Sequence, residues 1–347
     1  MASAIHCVWT ALLIARIEMT MIADLDQTTR VLQAMLPEGA TITGVKPLTT
    51  GFSNETYLIE GADLILRLPP SAGAMLDGHD VIAQAAIYSE LGHAPGAPPV
   101  PRIVLASEDV DALGVPFFVM ERVAGESIHD LDLQPWFVDG SDAFRRNVAQ
   151  RWVSAFGSLA KLRPLDVLGA PVSPEDDARM WRAFAASANS PALVAQYDRL
   201  LARPAPRSGV PAVVHGDTKL SNLMWQAGQV SAVLDWEMAL NGEPLADLGY
   251  MLYGFASDYH GATTPQKQPG MPDRAQVIAW WEEASGRSAE GVFWHEIAQI
   301  GKITAIIAEG TAMWLTGRSQ DPKLAYFAKN LDYYLGVMTT MLDGGDF

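Results

Sequence analysis

Residues 215–222 read His-Gly-Asp-Thr-Lys-Leu-Ser-Asn, and thirteen residues beyond Asn222 a second acid, Asp235, closes the run Val230-Ser231-Ala232-Val233-Leu234. That spacing suits a tight strand pair. Val213-Val214 leads in as a short apolar strand, Leu223-Met224-Trp225 leads out, and Gly228 with Gln229 makes the turn into the next strand. Two buried hairpin strands of this kind bring Asp217, Asn222 and Asp235 into one cleft. A carboxylate that can accept a hydroxyl proton, beside an amide oxygen and a second carboxylate that can share Mg²⁺, is the polar equipment of a phosphoryl-transfer site. Magnesium is a hard cation that takes oxygen ligands, which Asn and Asp supply and His and Cys do not.

His-Gly-Asp-x-x-x-x-Asn followed by a strand ending in Asp resembles the signature of the aminoglycoside phosphotransferase and choline kinase family. The resemblance implies an α+β, two-lobed protein-kinase-like fold with a small antiparallel-sheet N-lobe and a large, mainly helical C-lobe. It implies Asp217 as catalytic base and Asn222 and Asp235 as metal ligands, and it sets Lys219 where many protein kinases hold a Lys against the transferred phosphate. Within Glu243–Tyr250 it implies that Asp247, together with His215, supports the catalytic loop through backbone N–H groups. An N-cap role explains an Asp before that apolar run nearly as well.

The upstream half supplies the other parts that such an enzyme needs for ATP. Thr49–Ile59 is a small-polar turn followed by alternating residues, a hairpin pattern in which Gly51 lets the backbone approach a phosphate and Ser53 and Asn54 share the turn. It resembles the family's nucleotide loop. Leu64-Ile65-Leu66-Arg67-Leu68 puts one cation in an apolar strand, where an ATP phosphate would serve as its anion. Kinases of this kind usually place Lys at that position and pair it with a helical Glu; this chain has Arg67, and by position Gln84. Gln84 is expected to fix the Arg67 rotamer, with Asp80, four residues earlier on the same helix face, as a competing anchor. Val115–Gly125 reads as a buried strand running into a turn. The resemblance makes it the hinge, with Met120 lining an adenine pocket and backbone groups near Glu121 and Val123 bonding the base.

A chain of 347 residues with 49% hydrophobic content can bury two cores. The expected divisions are an N-terminal extension over 1–23, a nucleotide-binding N-lobe over 24–122 and a helical catalytic and substrate C-lobe over 123–347. The single cysteine, Cys7, rules out a disulfide framework within the chain and points to a reducing cytoplasm. A net charge of −16 argues against nucleic acid or an anionic membrane surface as partner. His6–Ile17 is mostly apolar, but Arg16 and Glu18 end it too soon for a membrane span; it is read as a short extra helix, or as residues ahead of a natural start at Met19 or Met21.

Beyond the catalytic segment the pattern is helical. Phe144, Val148, Trp152, Phe156 and Leu159 share one face, Ile297, Ile300, Thr304, Ile307, Thr311 and Trp314 a second, and Phe327, Leu331, Tyr334, Leu335 and Met338 a third. The resemblance implies a small-molecule hydroxyl as acceptor, either that of an aminoglycoside or choline-type cation or that of an acyl compound. Glu175, Asp176, Asp177, Glu282 and Glu283 would suit a polycation such as an aminoglycoside, although such runs also mark helix starts. Leu66–Pro70, the Gly-His-Asp at 78–80 and Gly114–Glu121 resemble instead the branch related to the kinase domain attached to some acyl-CoA dehydrogenases, which implies a hydroxyacyl-CoA or hydroxy acid. Lys302, alone on an apolar helix, is then the candidate to meet a carboxylate or CoA phosphate. A nucleotide-binding pseudokinase that regulates a partner is the rival of another class.

Overall fold

The computed structural model describes residues 24–37, 39, 41–48, 54–70, 80–129, 133–256, 264–319 and 321–344. The extension and the loop positions Gly51 and Ser53 lie outside them. The described residues form two units, one within 1–89 and 101–122, the other within 90–100 and 123–347.

In the first unit, helix α1 (Leu25–Met35) starts at Asp24, whose carboxylate accepts the Gln27 N–H at 2.8 Å. Strands β1 (Gly44–Pro47), β2 (Glu55–Glu60), β3 (Leu64–Leu68), β4 (Ile103–Ser107) and β5 (Phe117–Glu121) make one antiparallel sheet in the order β1-β2-β3-β5-β4. Alternation along the strands sends Tyr57, Ile59, Leu66, Leu68, Phe117 and Val119 into a core closed by Leu32 and Leu36. Helix α2 (Val81–His93) buries Val81, Gln84, Ala85, Tyr88 and Leu91, the i, i+3, i+4, i+7 stripe of an amphipathic helix. Its Tyr88 ring lies 6.1 Å from that of Phe118. Asp80 caps it, accepting the Ile82 and Ala83 N–H groups at 2.9 and 3.0 Å.

Residues 90–100 group with the larger unit. The Glu90 carboxylate accepts the N–H groups of Asp166 and Val167 at 2.9 and 3.1 Å, and the Pro99 carbonyl accepts that of Val233 at 2.8 Å.

That unit runs β6 (Glu126–Ser127), α3 (Asp142–Gly157), α4 (Pro174–Ser187), α5 (Pro191–Leu201), β7 (Ala212–Val214), β8 (Leu223–Gln226), β9 (Gln229–Val233), β10 (Leu240–Gly242), α6 (Leu245–Ala256), α7 (Arg274–Ser285), α8 (Val292–Leu315) and α9 (Pro322–Gly344). Its strands form a β6-β8-β9 sheet and a β10-β7 pair, both antiparallel. Ala227 and Gly228 make the β8–β9 turn with φ of 49° and 73°, the two left-handed residues that a two-residue hairpin needs. Gln229 pairs with Gln226 as the first residue of β9, so the turn lies one residue earlier than the sequence suggested.

The helical expectations mostly match burial. Val148, Trp152, Phe156 and Leu159 are buried, the last in a 3₁₀ turn that extends α3. Helix α8 is buried almost all round, as befits a central helix, and α4, α5, α6 and α9 pack about it. Among the described residues no helix is long and apolar enough to cross a membrane.

One core residue reaches the catalytic segment. Trp152 Nε1 donates to the Thr218 carbonyl at 2.8 Å, wholly away from solvent. Trp152→Phe keeps most of the packing but leaves that buried carbonyl without its donor, so urea unfolding should show a loss of about 1–3 kcal/mol. An unchanged midpoint would mean the bond contributes nothing.

Candidate active site

Strand β7 ends at Val214, and the chain turns at once through residues that are almost all buried. What shapes this turn is Asp247, in the first turn of α6. Its Oδ2 accepts the His215 N–H at 2.9 Å, its Oδ1 accepts the Gly216 N–H at 2.8 Å, and its own carbonyl accepts the Thr218 hydroxyl at 3.1 Å. Burial raises the Asp247 carboxyl to about 6, against the pull of those two N–H groups. Gly216 has φ of +80°, and a Cβ there would lie 2.5 Å from the Met238 carbonyl, so no larger residue fits.

His215 is a neutral brace. Its Nδ1 accepts the Asp217 N–H at 3.2 Å, which leaves the proton on Nε2 for the Leu234 carbonyl at 2.8 Å. The ring lies 5.0 Å from Phe156 and 4.6 Å from Trp236, and burial holds its pKa down at about 4. One side chain thereby ties residue 217 to residue 234.

Asp217 is 6% exposed. Its Oδ2 accepts from Asn222 Nδ2 and Lys219 Nζ, both at 2.9 Å, and the Tyr250 hydroxyl also hydrogen-bonds the carboxylate. Oδ1 makes no hydrogen bond among the described residues. Burial pushes this carboxyl up, but the Lys219 charge, Tyr250 and the other neighbours outweigh it and hold it below its ordinary value. Tyr250 was not singled out in the sequence as a site residue. The signal for it is its position three residues after Asp247, on the same face of α6.

Asn222 gives its amide nitrogen to both the carbonyl (2.8 Å) and the carboxylate of Asp217, so its amide oxygen is the atom left for a cation. Its backbone carbonyl accepts the Leu234 N–H at 2.8 Å, which places it beside Asp235. Asp235 has φ 65° and ψ 58°, a left-handed conformation that a non-glycine residue adopts only where its surroundings impose it. Among the described residues no three His, Cys, Asp or Glu side chains group as a metal cage. An amide oxygen and one carboxylate are what Mg²⁺ takes when it is shared with phosphates. The donors fit.

The remaining expected residues fall elsewhere. In the first unit Asn54 and Gln84 are buried and pair with each other, Nδ2 to Oε1 at 3.1 Å, while Arg67 Nη1 donates to Thr56 Oγ1 at 3.0 Å. The expected Gln84–Arg67 anchor is therefore corrected: the helical stripe turns Gln84 inward, and its amide oxygen is taken by Asn54. Asp80 serves as the helix cap. Met120 is buried in β5, and the Glu121 N–H donates to the Arg102 carbonyl at 2.9 Å. Val123 opens the longer segment of the second unit.

Lys302, expected to meet a substrate anion, is corrected too. It is 4% exposed and donates to the Gly216 carbonyl from behind the loop. Four of the five acids expected to hold a polycation have partners within the protein, and the fifth, Glu283, is exposed. Glu175 binds Arg207 at 2.7 Å, Asp176 binds Ser173 and Arg179 at 2.6 Å each, Asp177 is the partner of Trp181 Nε1 at 3.1 Å, and Glu282 accepts the Ala289 N–H at 2.8 Å.

The profile of the phosphotransferase enzyme family (APH) matches residues 44–287. Acyl-CoA dehydrogenase family member 10 of Mus musculus is 31% identical over 212 residues, 58% of this chain but 19% of that protein, so the chain spans about a fifth of that relative. A Ralstonia eutropha crystal structure, provisionally called an aminoglycoside phosphotransferase, superposes with a TM-score of 0.75 at 20% identity over 93% of this chain and 100% of the other. A thermostable mutant of aminoglycoside phosphotransferase APH(4)-Ia, in a ternary complex with ADP and hygromycin B, gives 0.56 at 15% identity over 92% and 99%. These likenesses establish the kinase-like α+β fold, a small antiparallel-sheet unit with a mainly helical one.

Two buried histidines set an acid limit. His215 and His295, the latter bonded through Nε2 to the Pro206 carbonyl, both have pKa values lowered from 6.5 to about 4 by burial. The unfolded chain binds these protons first, so their contribution is complete above pH 6.5 and is lost as pH falls towards 4, about 3 kcal/mol each. Asp247, raised to about 6, acts in the opposite sense over part of that window. His295→Gln keeps a donor for Pro206 without the titration. Its stability loss between pH 7 and 4.5 should be smaller than the wild type's by about 2–3 kcal/mol; equal losses in chemical denaturation at both pH values would contradict the assignment.

Proposed function

Because this chain belongs to the phosphotransferase enzyme family, we propose that it is an ATP- and Mg²⁺-dependent kinase acting on a small-molecule hydroxyl. The observation that carries the reading is the Asp217 carboxylate, held ionised by Lys219, Asn222 and Tyr250 on a buried loop, with Oδ1 left over to accept a proton. The acceptor hydroxyl gives its proton to Oδ1 as its oxygen bonds to the γ-phosphorus, and the bond from that phosphorus to ADP breaks. Lys219, half-exposed where Asp217 is buried, turns its charge to the transferred phosphoryl. Asn222 and Asp235 would hold Mg²⁺, which would neutralise charge on the phosphate oxygens. Arg67 grips the nonreacting phosphates, its forked guanidinium able to take two oxygens at once. The nucleotide loop, with Asn54 at its described end, and the hinge at Met120, Glu121 and Val123 complete the nucleotide site. A reducing cytoplasm suits a chain with one cysteine.

For the acceptor we favour a hydroxyacyl-CoA or related hydroxy acid. The name of the mouse relative puts acyl-CoA chemistry in a protein that carries a segment like this one. The aminoglycoside alternative loses support from Glu175, Asp176 and Asp177, which are engaged within the protein. ADP release across hydroxyacyl-CoAs, aminoglycosides, choline and sugars separates these classes. Tight ATP binding with no turnover on any of them would favour a regulatory pseudokinase.

Asp217→Asn should leave Mg·ATP binding within a few-fold and lower turnover by about 10² to 10⁴. Normal turnover would remove Asp217 as the base. Asp235→Ala should weaken ATP binding when Mg²⁺ is present and change it little in EDTA. Calorimetry in which the Mg²⁺ dependence of Asp235→Ala matches the wild type would count against the metal role of Asp235.

A further inference from the structure

Behind the catalytic loop lies a cavity of about 20 Å³, lined by Asp177 of α4, Gly216 and, from α8, Gln299 and Lys302. That is room for roughly one water. The Lys302 Nζ donates to the Gly216 carbonyl at 2.5 Å and stands 5.3 Å from the Trp181 ring centre and 5.8 Å from that of Tyr250. A buried ammonium needs donors satisfied and a counter-charge near. The carbonyl and the two ring faces meet the first need, and Asp177, bonded to Trp181 Nε1, meets the second. Burial lowers the pKa of Lys302 and raises that of Asp177, and the attraction of each for the other opposes both shifts.

The peptide between residues 216 and 217 is thus held at both ends. Lys302 binds its carbonyl, His215 Nδ1 accepts its N–H, and its plane sets the direction in which Asp217 leaves the backbone. Tyr250, whose ring Lys302 faces, hydrogen-bonds the Asp217 carboxylate itself. We propose that Lys302 is a positioning residue for phosphoryl transfer, fixing the 216–217 peptide and the Tyr250 ring so that Asp217 meets the acceptor hydroxyl. This rests on the kinase reading given above. It assigns the residue no contact with substrate. An acid oriented by a clamped peptide is sensitive to small shifts, since a misplacement of about 1 Å can cost roughly 10²-fold in rate.

The test uses the full chain as wild type, Lys302→Met, Asp177→Asn and the double variant. Thermal unfolding, ADP release from Mg·ATP in water without an acceptor, and hydrogen exchange of the 212–222 segment are measured on each. Lys302→Met alone strands a buried carboxylate and should lower Tm by about 10 °C. In the double variant Tm should return to within a few degrees of Asp177→Asn. Its kcat should stay down by roughly 10²-fold with KM for ATP within about twofold, and exchange at residues 215–219 should stay faster. Recovery of kcat together with Tm would overturn the proposal, because Lys302 would then only neutralise Asp177. A rise in KM matching the fall in kcat/KM would overturn it as well. A wild type that releases no ADP in water leaves the kinase reading to the acceptor panel: the exchange data still decide this one, and loop protection in the double variant equal to that of Asp177→Asn would overturn the positioning role.

Discussion

The catalytic segment depends on one carboxylate. Asp247 puts its two oxygens on the consecutive N–H groups of His215 and Gly216, and its backbone carbonyl takes the Thr218 hydroxyl. Four residues of chain are thereby folded onto the first turn of α6, where the helix's own unsatisfied N–H groups favour negative charge. A tight buried turn exposes backbone donors that strands and helices would otherwise pair. Asp247 pairs them with a single side chain, and Gly216 supplies the left-handed backbone that lets both face it. Remove that arrangement and the contacts that aim Asp217, from His215, Asn222, Tyr250 and Lys302, lose the backbone frame on which they act.

The second organising term is charge. Asp177, Asp217 and Asp247 are buried close together, and Lys302 acts on all three. Lys219 balances Asp217 from the more exposed side, with 37% of its side chain open. The two lysines therefore differ in freedom. Lys219 can leave Asp217 for a phosphate at little desolvation cost, whereas Lys302, enclosed by Trp181, Tyr250 and Gly216, has nowhere to go. His215 between them is kept neutral, so it adds rigidity without adding charge.

Several features of the site were legible because they are local. The spacing of Asp217, Asn222 and Asp235 is a hairpin's spacing, and the Asn222–Leu234 bond is the ladder contact that such a hairpin makes. The stripes of α3 and α8 follow from the helical period. What misled was the partner of each polar residue within a stripe. Gln84 was matched to Arg67 by analogy of position, yet it is buried against Asn54, and Arg67 donates to Thr56 across the β2–β3 pair. Lys302 was read as a lone cation on an apolar helix. Periodicity could not say that α8 is buried almost all round, and so could not say that this cation is buried.

The sequence by itself determined the hairpin spacing of Asp217, Asn222 and Asp235 and, through the resemblance that this motif carries, the family whose profile covers residues 44–287 and the α+β class it implies. The spacing is local, and so is the motif. Only the tertiary structure decided which contacts across α4, α6 and α8 hold the loop: Asp247 on two backbone N–H groups, Tyr250 on the carboxylate, Lys302 on the carbonyl before it, with Asp177 as its counter-charge. Those partners lie tens of residues apart in the chain. A buried polar group must find its hydrogen bond wherever packing brings one, and no local pattern records which distant residue that will be.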